Sequence, residues 1–256
     1  MGKAEETRQF ILQKTAKLFN IKGYAGTSLS DITALTGLTK GSIYGNFHNK
    51  EEVMGAMYDY NVQALVAVID KALEKHPLPL DKLQAMLTVF RQQWPNMNQA
   101  GGCPIMNAAI EADDHLHFLQ KQVRHSFERW ASQIASIIDA GKKQGSFQRV
   151  DSRYYAYLFI GQIEGGILLS KTFNDPHFLN QAIEHLRAVI ARELVIQQPN
   201  KKQRKAPFTQ LFIQFFIHNH EKSSHYRTRR NYTTRQYRNR FLGRHLAGKK
   251  RRGAHH

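Results

Sequence analysis

Lys40, Gly41, Ser42 and Tyr44 open a short segment that Thr39 precedes, with Asn46 close behind. The set suits contact with phosphates and base edges. An ammonium meets phosphate, hydroxyls donate or accept, and Gly41 lets backbone approach closely. Thr27 and Ser28 stand where one further helix would start, and Lys50 where another would. A helix N-terminus attracts anions through its free N–H groups and its dipole. This is chemistry of contact rather than of bond-making. The 256 residues contain no G-x-S-x-G elbow, P-loop, H-E-x-x-H or dinucleotide fingerprint, so no enzyme is expected.

Two other groups could carry chemistry. Cys103, the one cysteine, lies in G-G-C-P, just before a proline suited to the first position of a helix. A thiol at a helix start has a lowered pKa, so one reading is a sensor of oxidants or electrophiles; the other is a small buried apolar residue. A single cysteine rules out a disulfide framework. His115, His117 and His125 with Asp113 and Asp114 suggest a metal. However, His115 and His117 would point to different faces of a helix, and the two aspartates suit a helix start, so neither metal nor cofactor is expected.

The charge is uneven. The chain is +17, but residues 200–256 hold 16 Lys/Arg against one acid, Glu221. Residues 1–199 are close to neutral, with 21 basic and 19 acidic residues. The basic character therefore belongs to the tail. The first 50 residues carry a mild excess, seven Lys/Arg against three acids, enough to meet phosphates. The opening MGKAEETRQF has no apolar run, and nowhere is there a stretch long enough to span a membrane. A cytoplasmic protein without membrane contact is expected, nucleoid-associated when bound to DNA.

The elements that must position these residues read as helix after helix. Ile11, Leu12, Thr15, Ala16, Leu18 and Phe19 form a helical stripe from about Ala4 to Lys22, stopped by Gly23. Short helices follow over Thr27–Leu35 and Lys40–Asn46, with Gly37 between them and Ile32, Leu38, Ile43 and Phe47 closing a small core. That pair is a helix-turn-helix pattern. Asn49 caps a long fourth helix ending near His76-Pro77. Further helices are expected over Leu80–Trp94, from Pro104 to about Ala112, Asp114–Lys142, 152–172 and Pro176–Ile196. The fold class is all-α: a DNA-binding part over 1–50, a helical part over 51–198 and a basic tail over 199–256.

The run from Thr27 to Glu52 resembles the TetR family of bacterial regulators. The resemblance rests on G-Y-x-x-T-S at 23–28, Ile32, Gly37, K-G-S-I-Y at 40–44, Phe47 and K-E at 50–51. It implies a repressor that grips a palindromic operator in double-stranded DNA as a homodimer and lets go when a small molecule binds. Thr27, Thr39, Lys40, Gly41, Ser42, Tyr44, Asn46 and Lys50 become operator contacts, with Ser28 at its helix start. Gly45 and Asn46 depart from the bulkier residues often found there, which leaves the base preference open. An interface on the last two helices is implied, with Ile160, Ile163, Ile167, Leu179, Ile183, Leu186 and Ile190 as its apolar residues and Gly165 and Gly166 allowing close approach. The effector pocket should lie among helices five to eight. Phe90, Trp94, Cys103, Met106, Phe127, Trp130 and Tyr157 are its expected wall; Asn107, Gln162 and Glu164 are polar groups able to orient a ligand.

Past Pro199 the composition changes to K-K-Q-R-K, an apolar-spaced stretch through Phe208, Leu211, Phe212, Phe215 and Phe216, and then Arg/Tyr/Asn-rich sequence. It matches nothing in the family. Three readings stand: an appendage without selected function, such as out-of-frame sequence; a basic arm binding nucleic acid without sequence preference; and a membrane-surface helix.

Overall fold

A computed structural model describes residues 2–114 and 116–197; the tail therefore lies outside it. Among the described residues there are nine α-helices: α1 (Lys3–Lys22), α2 (Leu29–Thr36), α3 (Lys40–Tyr44), α4 (Lys50–Leu73), α5 (Pro79–Gln99), α6 (Pro104–Asp114), α7 (His117–Lys143), α8 (Ser152–Phe173) and α9 (His177–Val189). The all-α reading holds. One isolated antiparallel bridge joins Phe147 to Val195.

Local signals set the starts. Ser28 and Asp31 form a reciprocal capping box at α2, Thr39 accepts the Ser42 N–H at α3, and Asn49 accepts the Glu52 N–H at α4. Ile11, Phe19, Ile32, Ile43 and Phe47 close a small core under α1–α3, which α4 continues through Val53, Met57 and Tyr58. Further along, α4 packs with α5, α6 and α7. One 24-residue helix thus belongs to both parts, and the described residues form one compact unit.

Several boundaries differ from expectation: α4 ends at Leu73, and α6 runs on to Asp114 with α7 starting only at His117, so Asp113 and Asp114 end one helix rather than start the next. Helix α5 does not stop at Trp94 but runs through Pro95 to Gln99. A mid-helix proline costs about 3 kcal/mol; burial of Trp94 and Met97 on either side offsets it. Helix α3 ends at Tyr44, and the Asn46 side chain donates back to the Ser42 carbonyl at 2.8 Å. The last helix changes at Ile190 into a π-helical turn, Ile190–Leu194. Its end is tied to the α7–α8 loop: Gln148 N–H donates to Leu194 O at 2.7 Å and Ile196 N–H to Ser146 O at 3.0 Å.

Candidate nucleic-acid interface and effector cavity

The turn between α2 and α3 is made by Gly37 in the left-handed region, φ 70°, where a side chain would strain the backbone. It sets α3 on the surface with Ile43 turned inward and Lys40, Gly41 and Tyr44 outward; Tyr44 is 46% exposed. Thr39 and Lys50 are exposed and Ser42 half-buried. Thr39, Lys40, Gly41, Ser42 and Tyr44 stand together on the second helix of the pair, and Lys50 opens α4.

The other expected contacts are held differently. Thr27 is buried and donates its hydroxyl to Gly23 O at 2.7 Å, so it shapes the α1–α2 turn. Ser28 is exposed, but its hydroxyl is engaged with Asp31. Lys22 bonds the same carboxylate at 2.7 Å; the ammonium and Ser28 hold the Asp31 carboxyl well below the usual range. Asn46 is half-buried beside a cluster that sequence reading missed: Arg8 donates to Asn46 O and to Glu52 Oε1, both at 2.9 Å, and its guanidinium lies 4.3 Å from the Phe47 ring centre. Glu52 also accepts the His48 N–H at 2.7 Å. The signal for it was Glu52 three residues after the Asn49 cap.

A second cluster joins α6 to the end of α1. Glu111 accepts the Tyr24 N–H at 3.0 Å on one oxygen and the Ala25 N–H at 2.8 Å on the other. Asn107 donates to Asn20 O, Asn20 Oδ1 and Gly101 O at 3.1, 3.0 and 2.9 Å. Asn20 donates to Ala100 O and Gly102 O. Gly101, at φ 93°, lets the α5–α6 turn come so near that a Cβ there would sit 2.7 Å from Asn20 O. Asn107, expected in a pocket, is instead part of this joint between the effector-side helices and the α1–α2 turn.

A cavity of about 310 Å³ lies between α4 and α7, at the small end of the range for sites that hold drug-sized ligands, about 300–1,000 Å³. Phe90 and Trp130 line it, stacked with ring centres 5.5 Å apart. Leu65, Ile69 and Ile105 extend the apolar wall. The remaining expected wall residues lie elsewhere. Trp94 is buried away from the cavity, and Met106 and Phe127 pack partly buried against the core. Tyr157 and Gln162 are on the exposed face of α8, with Arg153 over the Tyr157 ring. The polar cavity groups that sequence reading passed over form two rows of one period, Asp59, Gln63 and Asp70 on α4 and Ser126, Arg129 and Gln133 on α7. Their spacing is the signal that was available.

Cys103 is fully buried, and burial together with the neighbouring Glu164 carboxyl pushes its thiol well above the usual value. This corrects the sensor reading: the helix-start effect is outweighed by desolvation, and no accessible thiolate stands there. Glu164 is itself buried, and burial raises its pKa to about 7 against the opposing effect of the Cys103 thiol beside it.

The expected interface residues also lie elsewhere. Ile163, Ile167, Ile183, Leu186 and Ile190 are 0% exposed and Leu179 1%. They close α8 and α9 onto the protomer's own core, and Gly166 lets the two helices approach, a Cβ there reaching Leu179 Cα at 3.0 Å. The outward face of α8 carries a different row: Tyr154, Tyr157, Gly161, Gly165, Leu168, Leu169 and Phe173, large side chains 44–62% exposed and both glycines open to space. The periodic apolar signal fitted two faces of one helix, and packing decides between them.

An exposed short helix held by a tight turn on a three-helix core, followed by a helical body with an internal cavity, defines a helix-turn-helix DNA-binding regulator. Similarity to known proteins makes the assignment specific. Residues 11–57 match the model of bacterial regulatory proteins of the tetR family, and residues 79–186 that of the tetracyclin repressor-like C-terminal domain. The fold resembles a TetR transcriptional regulator from Chloroflexus aurantiacus, 35% identical, with a TM-score of 0.73 over 77% of this chain and 100% of that one. A TetR-family regulator from Cytophaga hutchinsonii is 34% identical, with a TM-score of 0.71 over 77% and 99%. The HTH-type transcriptional repressor DhaR of Mycobacterium sp. is 27% identical over 176 residues, 68% of this chain and 87% of that protein. The chain belongs to the TetR family of transcriptional regulators. Among the described residues no helix is long and apolar enough to cross a membrane.

Proposed function

We propose that this protein is a dimeric, ligand-responsive repressor of the cytoplasm that binds a palindromic operator and has no enzymatic activity. The observation that carries the DNA part is the outward row Thr39, Lys40, Gly41, Ser42 and Tyr44 on α3, supported by Lys50 at the start of α4. The Lys40 ammonium and the Ser42 and Tyr44 hydroxyls can meet phosphates and base edges, and the Thr39 hydroxyl, which accepts the Ser42 N–H, keeps its own O–H to donate. One such row reads one half-site. Two rows related by a two-fold match a palindrome, and the apolar outward face of α8 is the surface that brings two protomers together. The α4–α7 cavity takes the effector. Helix α4 begins beside α3 and lines the cavity, and the Glu111–Asn107 joint ties α6 to the α1–α2 turn. A ligand that favours one arrangement of these helices therefore changes the fit to DNA.

The test is selection of genomic DNA fragments by the purified protein, with a Lys40→Ala/Tyr44→Ala variant as control. Enrichment of a shared palindrome by the parent protein and its loss in the variant is the expected result. Equal recovery by both would refute the reading.

A further inference from the structure

Helices α4 and α7 run in the same direction, and the slot between them is latched at both ends by like pairs. Gln122 donates to Asp59 Oδ2 at 3.1 Å, and Gln133 donates to Asp70 Oδ1 at 2.6 Å. The latches are eleven residues apart on both helices, about 16 Å along the axis at about 1.5 Å per residue. Between them lies the cavity, with the stacked Phe90–Trp130 pair in its apolar wall. Each latch carries a formal negative charge, and neither aspartate has a cation within ion-pair distance among the described residues. Asp70 is half-buried with only the neutral Gln133 amide on it, whereas Asp59 is exposed, although burial on one side moves its carboxyl upward. The basic side chains on the lining, Arg129 and His125, are exposed on α7.

We infer that the slot selects a small aromatic cation: one or two rings against the Phe90–Trp130 pair, with an ammonium-type group near the half-buried Asp70. The physical reason is asymmetric. A carboxylate drawn partly out of water without a counter-charge gains most from a ligand cation. An exposed arginine gains little from a ligand anion, because water already solvates it. Aromatic faces add attraction for the same cation. The volume of about 310 Å³ sets the size to one or two rings. This rests on reading the cavity as the effector site, but its test is independent of DNA.

Three probes of one shape class separate the charge: naphthylmethyl-trimethylammonium, naphthylmethanol and naphthylacetate, titrated calorimetrically into the full chain, with the fluorescence of a Trp94→Phe variant reporting on Trp130. The expected result is binding of the cation at least tenfold tighter than of the other two. Asp70→Asn should weaken it about tenfold and Asp59→Asn less, both with unchanged affinity for naphthylmethanol. Arg129→Gln should tighten the cation severalfold by removing a like charge. Preference for naphthylacetate, equal affinity for all three, unchanged cation affinity in Asp70→Asn, or no binding of any probe at millimolar concentration would each overturn the inference. Release of a selected DNA fragment is measured separately. Cation binding without release would refute the effector reading and leave the binding site standing; release by naphthylacetate alone would do the reverse.

Discussion

Replacing Leu169 with glutamate should give a folded monomer, whereas the same replacement at Ile183 should unfold the chain. Leu169 is 44% exposed on the outward face of α8, and Ile183 is 0% exposed on the inward face of α9. Burying a leucine fully is worth about 1.5–3 kcal/mol, so the exposed share of Leu169 is worth about 1 kcal/mol per protomer and about 2 per dimer. A carboxylate taken into an apolar interface adds several kcal/mol per copy. The sum of at least about 6 kcal/mol weakens association by about four orders of magnitude. Ile183→Glu places the same charge where nothing can solvate it, and the loss is comparable with the whole stability of a domain, about 5–15 kcal/mol. Sedimentation velocity with far-UV circular dichroism distinguishes the two. A helical, monomeric Leu169→Glu protein without operator binding is the expected result. A Leu169→Glu protein that remains dimeric, or an Ile183→Glu protein that is folded and monomeric, would refute the assignment of the two faces.

Lys40→Ala should weaken DNA binding across all sequences and lower the slope of log K against log salt by about one, as loss of one phosphate contact does; an unchanged slope places Lys40 off the backbone. Glu111→Gln keeps the shape of the joint but removes its charge, and one amide is left facing an NH2 group. The expected loss is about 1–3 kcal/mol of stability, with faster hydrogen exchange at the Tyr24 and Ala25 amides and exchange elsewhere unaltered. Glu164 gives a pH signature. Its folded pKa of about 7 lies above its ordinary value of 4.5, so the folded state holds the proton more tightly. Stability is greatest below the unfolded pKa and falls as pH rises to about 7, by about 3 kcal/mol at about 1.4 kcal/mol per unit. Chemical denaturation of Glu164→Gln across that range should show the decline removed; an identical decline assigns it to another group.

The sequence by itself determined the local devices, because each depends on residues close together in the chain. Ser28 with Asp31, Thr39, Asn49 and Gly37 fix the starts and the turn of the reading pair through hydrogen bonds and backbone freedom a few residues long. The outward Lys40, Gly41 and Tyr44 follow from Ile43 pointing in. Periodicity established that the body is helical, yet it could not say which side of α8 is inside, since Ile163 and Ile167 on one face and Leu168 and Leu169 on the other both read as apolar. Only packing against α9 and the core decided that. Packing also withdrew Cys103 from water, where desolvation outweighs the helix start, and turned Asn107 into a link to Asn20. The cavity is the fullest case. Asp59 with Gln122 and Asp70 with Gln133 stand 63 residues apart in the chain, and no local rule pairs them. Their meeting, and the space they leave beside Phe90 and Trp130, exist only because α4 and α7 run side by side.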